Sequence, residues 1–296
     1  MNAAQKIAAF VAGLVVMFAV AVWAGKAMGP EGGAGVQQAP THEDIHGAHD
    51  SGPPEPVGGL ASVQDGYTLD LAEDRAKAAK DVPLRFRILD ASGAPVTQYV
   101  ENHEQLLHLI VVRSDLVGFQ HVHPMLDADG TWRAPVDLSR VGDYRVIADF
   151  TPAGSPALTL GANVHVGGDY DPQPLPPIAV TSAVDGYTVA INGTPKANAP
   201  SMLTLTVSRN GKPVTDLQPY LGAYGHLVAL RPSDLAYLHV HPMGQPGDGV
   251  TPAGPEIGFH ATFPSAGDYR LFLDFRHQGE VRTAAFTVSV GDGESR

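Results

Sequence analysis

Three histidines recur at one spacing in two stretches of the chain. His108 to Met125 reads HLIVVRSDLVGFQHVHPM, and His226 to Met243 reads HLVALRPSDLAYLHVHPM. Imidazole binds copper, zinc, nickel and iron through a ring nitrogen at about 2 Å, and it also serves as a buried hydrogen-bonding group. Side chains alternate along a strand, so residues two apart share a face. If the first stretch is an antiparallel hairpin centred between Asp115 and Leu116, His108 lies opposite His123 and Ile110 opposite His121. His108, His121 and His123 then share one face. Directly opposed Cβ atoms lie about 5 Å apart and diagonal ones about 7–8 Å apart, within reach of a single ion. The second stretch gives the same arrangement for His226, His239 and His241. Two three-histidine metal sites are therefore expected, one per stretch, with Met125 and Met243 at the end of each face as weaker candidate donors that also fit a plain packing role. A duplication copies structural histidines as faithfully as ligands, so a hydrogen-bonded cluster that only stabilises the fold is the alternative. Copper is the first choice of metal and zinc the second, because cysteine is absent and thioether favours Cu(I).

Other histidines are not repeated. His103 aligns with Leu221, and His260 and His277 align with Pro135 and Pro152. These three are secondary candidates that would complete one site differently from the other, and each also fits a surface or packing role. His165 is likewise unrepeated. Asp149 and Asp274 recur beside Phe150 and Phe275 and are candidates to orient an imidazole through its second nitrogen.

The elements that position these residues are themselves repeated. DGYTLDL at 65–71 returns as DGYTVAI at 185–191, and GDYRVIADF at 142–150 returns as GDYRLFLDF at 267–275. The offset grows from 118 to 125, which places seven extra residues in the Gly/Pro-rich GQPGDGVTPAGPEIG of the second copy. A period this long marks a duplicated domain, at 65–167 and 185–291, joined by a Pro-rich linker at 168–184 and followed by a tail at 292–296. Each copy reads as about seven short strands bounded by turn residues, with no amphipathic helix. The fold class is all-β: two tandem sandwiches of the immunoglobulin or cupredoxin type. Tyr144 and Tyr269, in RVGDYR and SAGDYR, are placed to form tyrosine corners, and Trp132 reads as a core aromatic.

Bulk composition narrows the classes of function. The 296 residues include 33 Gly and 25 Pro, which favours turns and short strands. The net charge of −12 with no basic run argues against a nucleic-acid partner. With no cysteine there are no disulfides, thiolate sites or thiol nucleophiles, and no G-x-S-x-G occurs, so no catalytic signature is found. After a tail at 1–6, residues 7–25 read IAAFVAGLVVMFAVAVWAG, 19 residues without charge. As a helix they would span about 28 Å, enough to cross a membrane. They are read as a single-pass anchor in the cell membrane, with the bulk of the chain extracytoplasmic. A cleaved signal with Ala19-Val20-Ala21 as its small-residue site, and hence a secreted protein, is the alternative. Residues 26–64 read as a flexible linker containing His42, His46 and His49, either a plain polar tether or a weak metal-capturing tail.

The tandem H-x12-H-V-H-P-M and the closing GDYRLFLDFRHQGEVRTAAFTV resemble a group of membrane-anchored bacterial extracytoplasmic proteins, over most of 65–291. The resemblance implies β-sandwich modules associated with copper or other heavy metals. GFQHVHP is also similar to the GF-H-x-H strand of copper/zinc superoxide dismutase, but the cysteine pair is missing and no histidine between His123 and His165 could bridge two metals. The cupin pattern needs an acid soon after H-x-H, and Asp127 is replaced by Gln245 in the second copy. The expected function is membrane-anchored metal buffering, or delivery to a metal-handling membrane protein. The alternative is a non-catalytic interaction or scaffold module.

Overall fold

The computed structural model describes residues 57–293. The expected anchor at 7–25 and the tether histidines His42, His46 and His49 lie outside the described residues. Among the described residues there is no helix, and so none long and apolar enough to cross a membrane.

The first copy comprises β1 (Val63–Gln64), β2 (Tyr67–Leu71), β3 (Arg75–Ala76), β4 (Val82–Leu89), β5 (Tyr99–Val100), β6 (Leu107–Arg113), β7 (Gln120–Val122), β8 (Met125–Leu126), β9 (Thr131–Val136), β10 (Gly142–Pro152) and β11 (Leu158–Val166). The second comprises β12 (Thr181–Val184), β13 (Tyr187–Asn192), β14 (Pro200–Arg209), β15 (Lys212–Pro213), β16 (His226–Leu230), β17 (Tyr237–Pro242), β18 (Glu256–Thr262), β19 (Gly267–His277) and β20 (Glu280–Val290). Each copy opens with an Asp-Gly hairpin. Asp65 and Gly66, like Asp185 and Gly186, all have positive φ in the left-handed region. Two such residues in succession match the twist of the flanking strands.

In the first copy β1-β2-β4-β9-β8 form one sheet and β3-β11-β10-β6-β7 the other. The two sheets enclose a core that includes Phe86, Leu109, Trp132 and Val146. The second copy repeats this architecture, except that β17 belongs to both sheets and joins them. Tyr237–Val240 pair with β16, then His241 and Pro242 pair with β18. In the first copy the same passage is broken, with β7 on β6 and, after Pro124, β8 on β9. The H-V-H-P motif is thus a corner between sheets. Proline suits the corner because it has no N–H to give to a ladder. Tyrosine corners close where expected, with Tyr144 donating to the Arg140 carbonyl (2.9 Å) and Tyr269 to that of Ser265 (3.2 Å). Trp132 is buried and donates its indole N–H to the Tyr99 hydroxyl (3.1 Å).

The hairpin register agrees with the spacing argument. Ile110 pairs with His121, and Val228 with His239. Every residue of β6 and of β16 is buried. One face of each strand, with Leu109 and Val111 or Leu227 and Ala229, enters the core of its own sandwich. The opposite face, with Ile110 and Val112 or Val228 and Leu230, enters a third core together with Ile147, Tyr237 and Phe272. That core is shared between the copies, so the two sandwiches pack sheet against sheet. Phe119 and Phe272 stack across it, with ring centroids 3.9 Å apart. The segment before β1 straps the interface: the Gly59 N–H bonds the Thr159 carbonyl of the first copy, and the Gly58 carbonyl accepts from Tyr237 N–H of the second. Truncating the shared core should be costly. Ile110→Ala is expected to lower stability by about 2–5 kcal/mol, read as a drop in the urea midpoint with an unchanged slope.

Candidate metal centre

His108 lies on the outward face of β6, two residues before Ile110, and His226 lies on the outward face of β16, two before Val228. The face that carries the histidines is therefore the face by which the copies pack. Rings from both copies meet in one cluster. His108 and His226 stand 6.5 Å apart, and His121 and His226 6.4 Å, between ring centroids.

Proton accounting defines the centre. A neutral imidazole has one N–H and one lone pair. His108 Nε2 lies 3.1 Å from the Asn102 carbonyl, which can only accept, so the proton is on Nε2 and the lone pair on Nδ1. His121 Nδ1 lies 2.8 Å from Asp274 Oδ2, while Asp274 Oδ1 accepts from the Thr283 hydroxyl (2.6 Å). In its neutral form His121 therefore carries its lone pair on Nε2, and as an imidazolium it carries a second N–H there. The two inner nitrogens, His108 Nδ1 and His121 Nε2, face each other 3.1 Å apart. Nitrogens sharing a tetrahedral ion with bonds of about 2.0 Å would be about 3.3 Å apart. His123 Nε2 is buried with no hydrogen-bond partner. One ring nitrogen from each of His108, His121 and His123 lies within 4.8 Å of the other two. Their ring centroids are 5.3, 5.1 and 4.9 Å apart. A ring centroid sits about 3.1 Å from a metal bound at its nitrogen, so two rings on a tetrahedral ion stand about 5.1 Å apart.

The second copy repeats the supports. His226 Nε2–H donates to the Tyr220 carbonyl (2.8 Å). Tyr220 and Asn102 occupy the same tight turn in their copies, bonded to Ala223 and Gln105. Asp274 pairs with His226 along the ladder and reaches across to His121. Asp149 pairs with His108 in the same way, takes the Thr159 hydroxyl (3.2 Å), and reaches across to the Tyr237 hydroxyl (3.1 Å). Burial and the Asp149 carboxylate hold the Tyr237 phenol well above its ordinary pKa. His239 is on β17 opposite Val228, and its side chain lies outside the described residues.

The remaining candidates separate. His103 joins the cluster, its ring 5.2 Å from His226, 6.2 Å from His108 and 6.5 Å from the exposed His241. Met125 does not lie at the end of the histidine face, because the chain turns the corner at Pro124. It is on β8, paired with Arg133 in the other sheet and 75% exposed. Met243 likewise bonds through its N–H to Gly258 of the β18 strand (2.8 Å) and is 39% exposed. His260 is exposed on β18 beside His241. His277 is buried between the Tyr187 hydroxyl (2.6 Å) and Asp216 (3.0 Å), and His165 pairs with Asp143 on the surface (2.7 Å). Spacing gives no notice of Tyr220, whose ring lies 6.3 Å from His123 and 5.9 Å from His226. An open cleft of about 670 Å³, lined by Asn102, Asp149, Tyr237 and His241 among others, reaches the edge of the cluster.

Both copies match a domain of unknown function (DUF8832), over residues 61–167 and 182–292. No curated protein matches the chain. Among solved structures, InvD of Yersinia pseudotuberculosis is 15% identical with a TM-score of 0.25, over 77% of this chain and 58% of that one. Invasin, a bacterial integrin-binding protein, is 15% identical with a TM-score of 0.23, over 79% and 41%. A putative membrane anchored protein of Corynebacterium diphtheriae is 12% identical with a TM-score of 0.23, over 77% and 59%. The chain spans about half the length of these structures.

Electrostatics keep His123 neutral. Burial, followed by the charge that His121 and His226 would carry when protonated, pushes its pKa down to about 4. The unfolded chain takes up this proton nearer 6.5, so protonation favours unfolding. Stability contributed by neutral His123 is fully present above about 6.5 and is lost as pH falls towards about 4. For chelator-treated protein, the melting temperature should fall more steeply across that window in the wild type than in His123→Leu. Parallel curves would count against a buried neutral imidazole.

Proposed function

The chain belongs to the DUF8832 family, and on that premise we propose that its two domains together build a binding centre for a divalent transition-metal ion. His108, His121 and His123 are its ligands. The observation that carries the proposal is the 3.1 Å approach of His108 Nδ1 and His121 Nε2 beside the buried, unpartnered His123 Nε2. A cation would engage all three nitrogens at once. The outer nitrogens of His108 and His121 are already engaged by a carbonyl and a carboxylate, as metal-bound histidines usually are. With both methionines off the histidine face, the donor set is imidazole alone. That favours Cu(II), and then Zn(II), over Cu(I). The role is buffering or delivery of extracytoplasmic metal, at the cell membrane through residues 7–25, to a membrane-bound metal-handling partner.

The full chain carrying His42→Ala, His46→Ala and His49→Ala, so that the tether contributes no ions, should take up copper(II) or zinc(II) and retain it through gel filtration. His121→Ala/His123→Ala should lose the ion held by the trio. Asp274→Asn should weaken affinity about 10–100-fold. Absence of uptake, or an unchanged double variant, sinks the proposal. Burial of the cluster in the interface favours a second reading, in which the histidines only cement the two sandwiches of an interaction protein. That reading expects the double variant to lose about 1–3 kcal/mol per group left unpaired, without any metal, and expects added metal to leave the melting temperature unchanged.

A further inference from the structure

The cluster is larger than one ion can use. Rings bound to the same ion stand about 5.1 Å apart at a tetrahedral angle and no more than about 6.2 Å apart when opposite one another. The trio satisfies this at 4.9–5.3 Å. So does the pair His103 and His226, at 5.2 Å. Between trio and pair the separations are 6.2 Å for His103 and His108, 6.5 Å for His108 and His226, and 6.4 Å for His121 and His226. These lie at or beyond the limit for a shared ion. His226 is also held as His108 is, with its Nε2 2.8 Å from a turn carbonyl, that of Tyr220.

We infer that His103 and His226 hold a second divalent metal ion beside the first, so that the two copies build one two-metal centre. The inference rests on the metal reading above. The pair is not the second trio expected from the repeat, because His103 comes from the first copy and has no histidine counterpart in the second. One ligand from each domain would tie the sandwiches together through the ion. His103 is partly exposed and the exposed His241 stands 6.5 Å from it, so water or His241 would supply further ligands. The ligand class is that of the first ion, divalent copper or zinc.

The test counts ions. The full chain carrying the three tether substitutions is saturated with copper(II) chloride, passed through gel filtration and analysed for copper per chain, with an electron paramagnetic resonance spectrum of the same sample. Two coppers per chain with a spin–spin interaction are expected. His103→Asn should hold one and lose the interaction. Asparagine is chosen because His103 has a positive φ in the left-handed region, a conformation that asparagine tolerates. His226→Gln should behave alike, and far-UV circular dichroism checks that both variants fold. One copper per chain before substitution overturns the second ion and leaves the first standing. Two coppers with the spectrum of isolated centres overturn their adjacency, and two coppers retained in His103→Asn overturn its role. No copper at all overturns this inference together with the metal reading.

Discussion

Burial of β6 and β16 on both faces is the constraint on which the structure depends. Each strand must satisfy its own sandwich with one face and the other sandwich with the opposite face. Apolar burial supplies the attraction, at roughly 25 cal/mol per Å² removed from water, through Ile110, Val112, Val228, Leu230, Ile147 and Phe272. The histidines are carried into the interface by this packing, because they lie on the same face as those aliphatic residues. Their position is therefore as rigid as the interface itself, with no loop needed to close around them.

Such a position is costly unless every polar atom is satisfied. The outer nitrogens of His108, His121 and His226 show the usual solution, a carbonyl or carboxylate at 2.8–3.1 Å. Inside the trio the solution is different. His108 Nδ1 and His121 Nε2 approach to 3.1 Å, and the third imidazole, His123, is held neutral by burial. Proton positions therefore matter here as much as proximity does.

Much of this architecture is legible in the residues. Period-two spacing places His108 opposite His123, and the DGYT repeats announce the hairpins that open each copy. What spacing cannot show is the partner of an outward face. LIVV at 109–112 is continuously apolar, a pattern of strands covered on both sides, yet nothing in it says that the cover is the other copy. The same limit explains the methionines. Alternation through 121, 123 and 125 would keep Met125 on the histidine face, but Pro124 turns the chain out of that ladder. His103 is hard to weigh for a different reason. It belongs to a tight turn whose left-handed backbone obeys no strand period.

The exceptions to the two-fold relation are informative because the rest is so regular. Asn102 and Tyr220 present carbonyls to His108 and His226 from equivalent turns, and Asp149 and Asp274 take threonine hydroxyls and reach across the interface alike. Against that background one turn carries His103 where the other carries Leu221, both with positive φ. Leu221 is buried, whereas His103 is partly exposed beside His226. Packing alone does not ask for an imidazole at a turn that a buried leucine satisfies in the other copy. The asymmetry places an imidazole of the first copy beside His226 and His241 of the second.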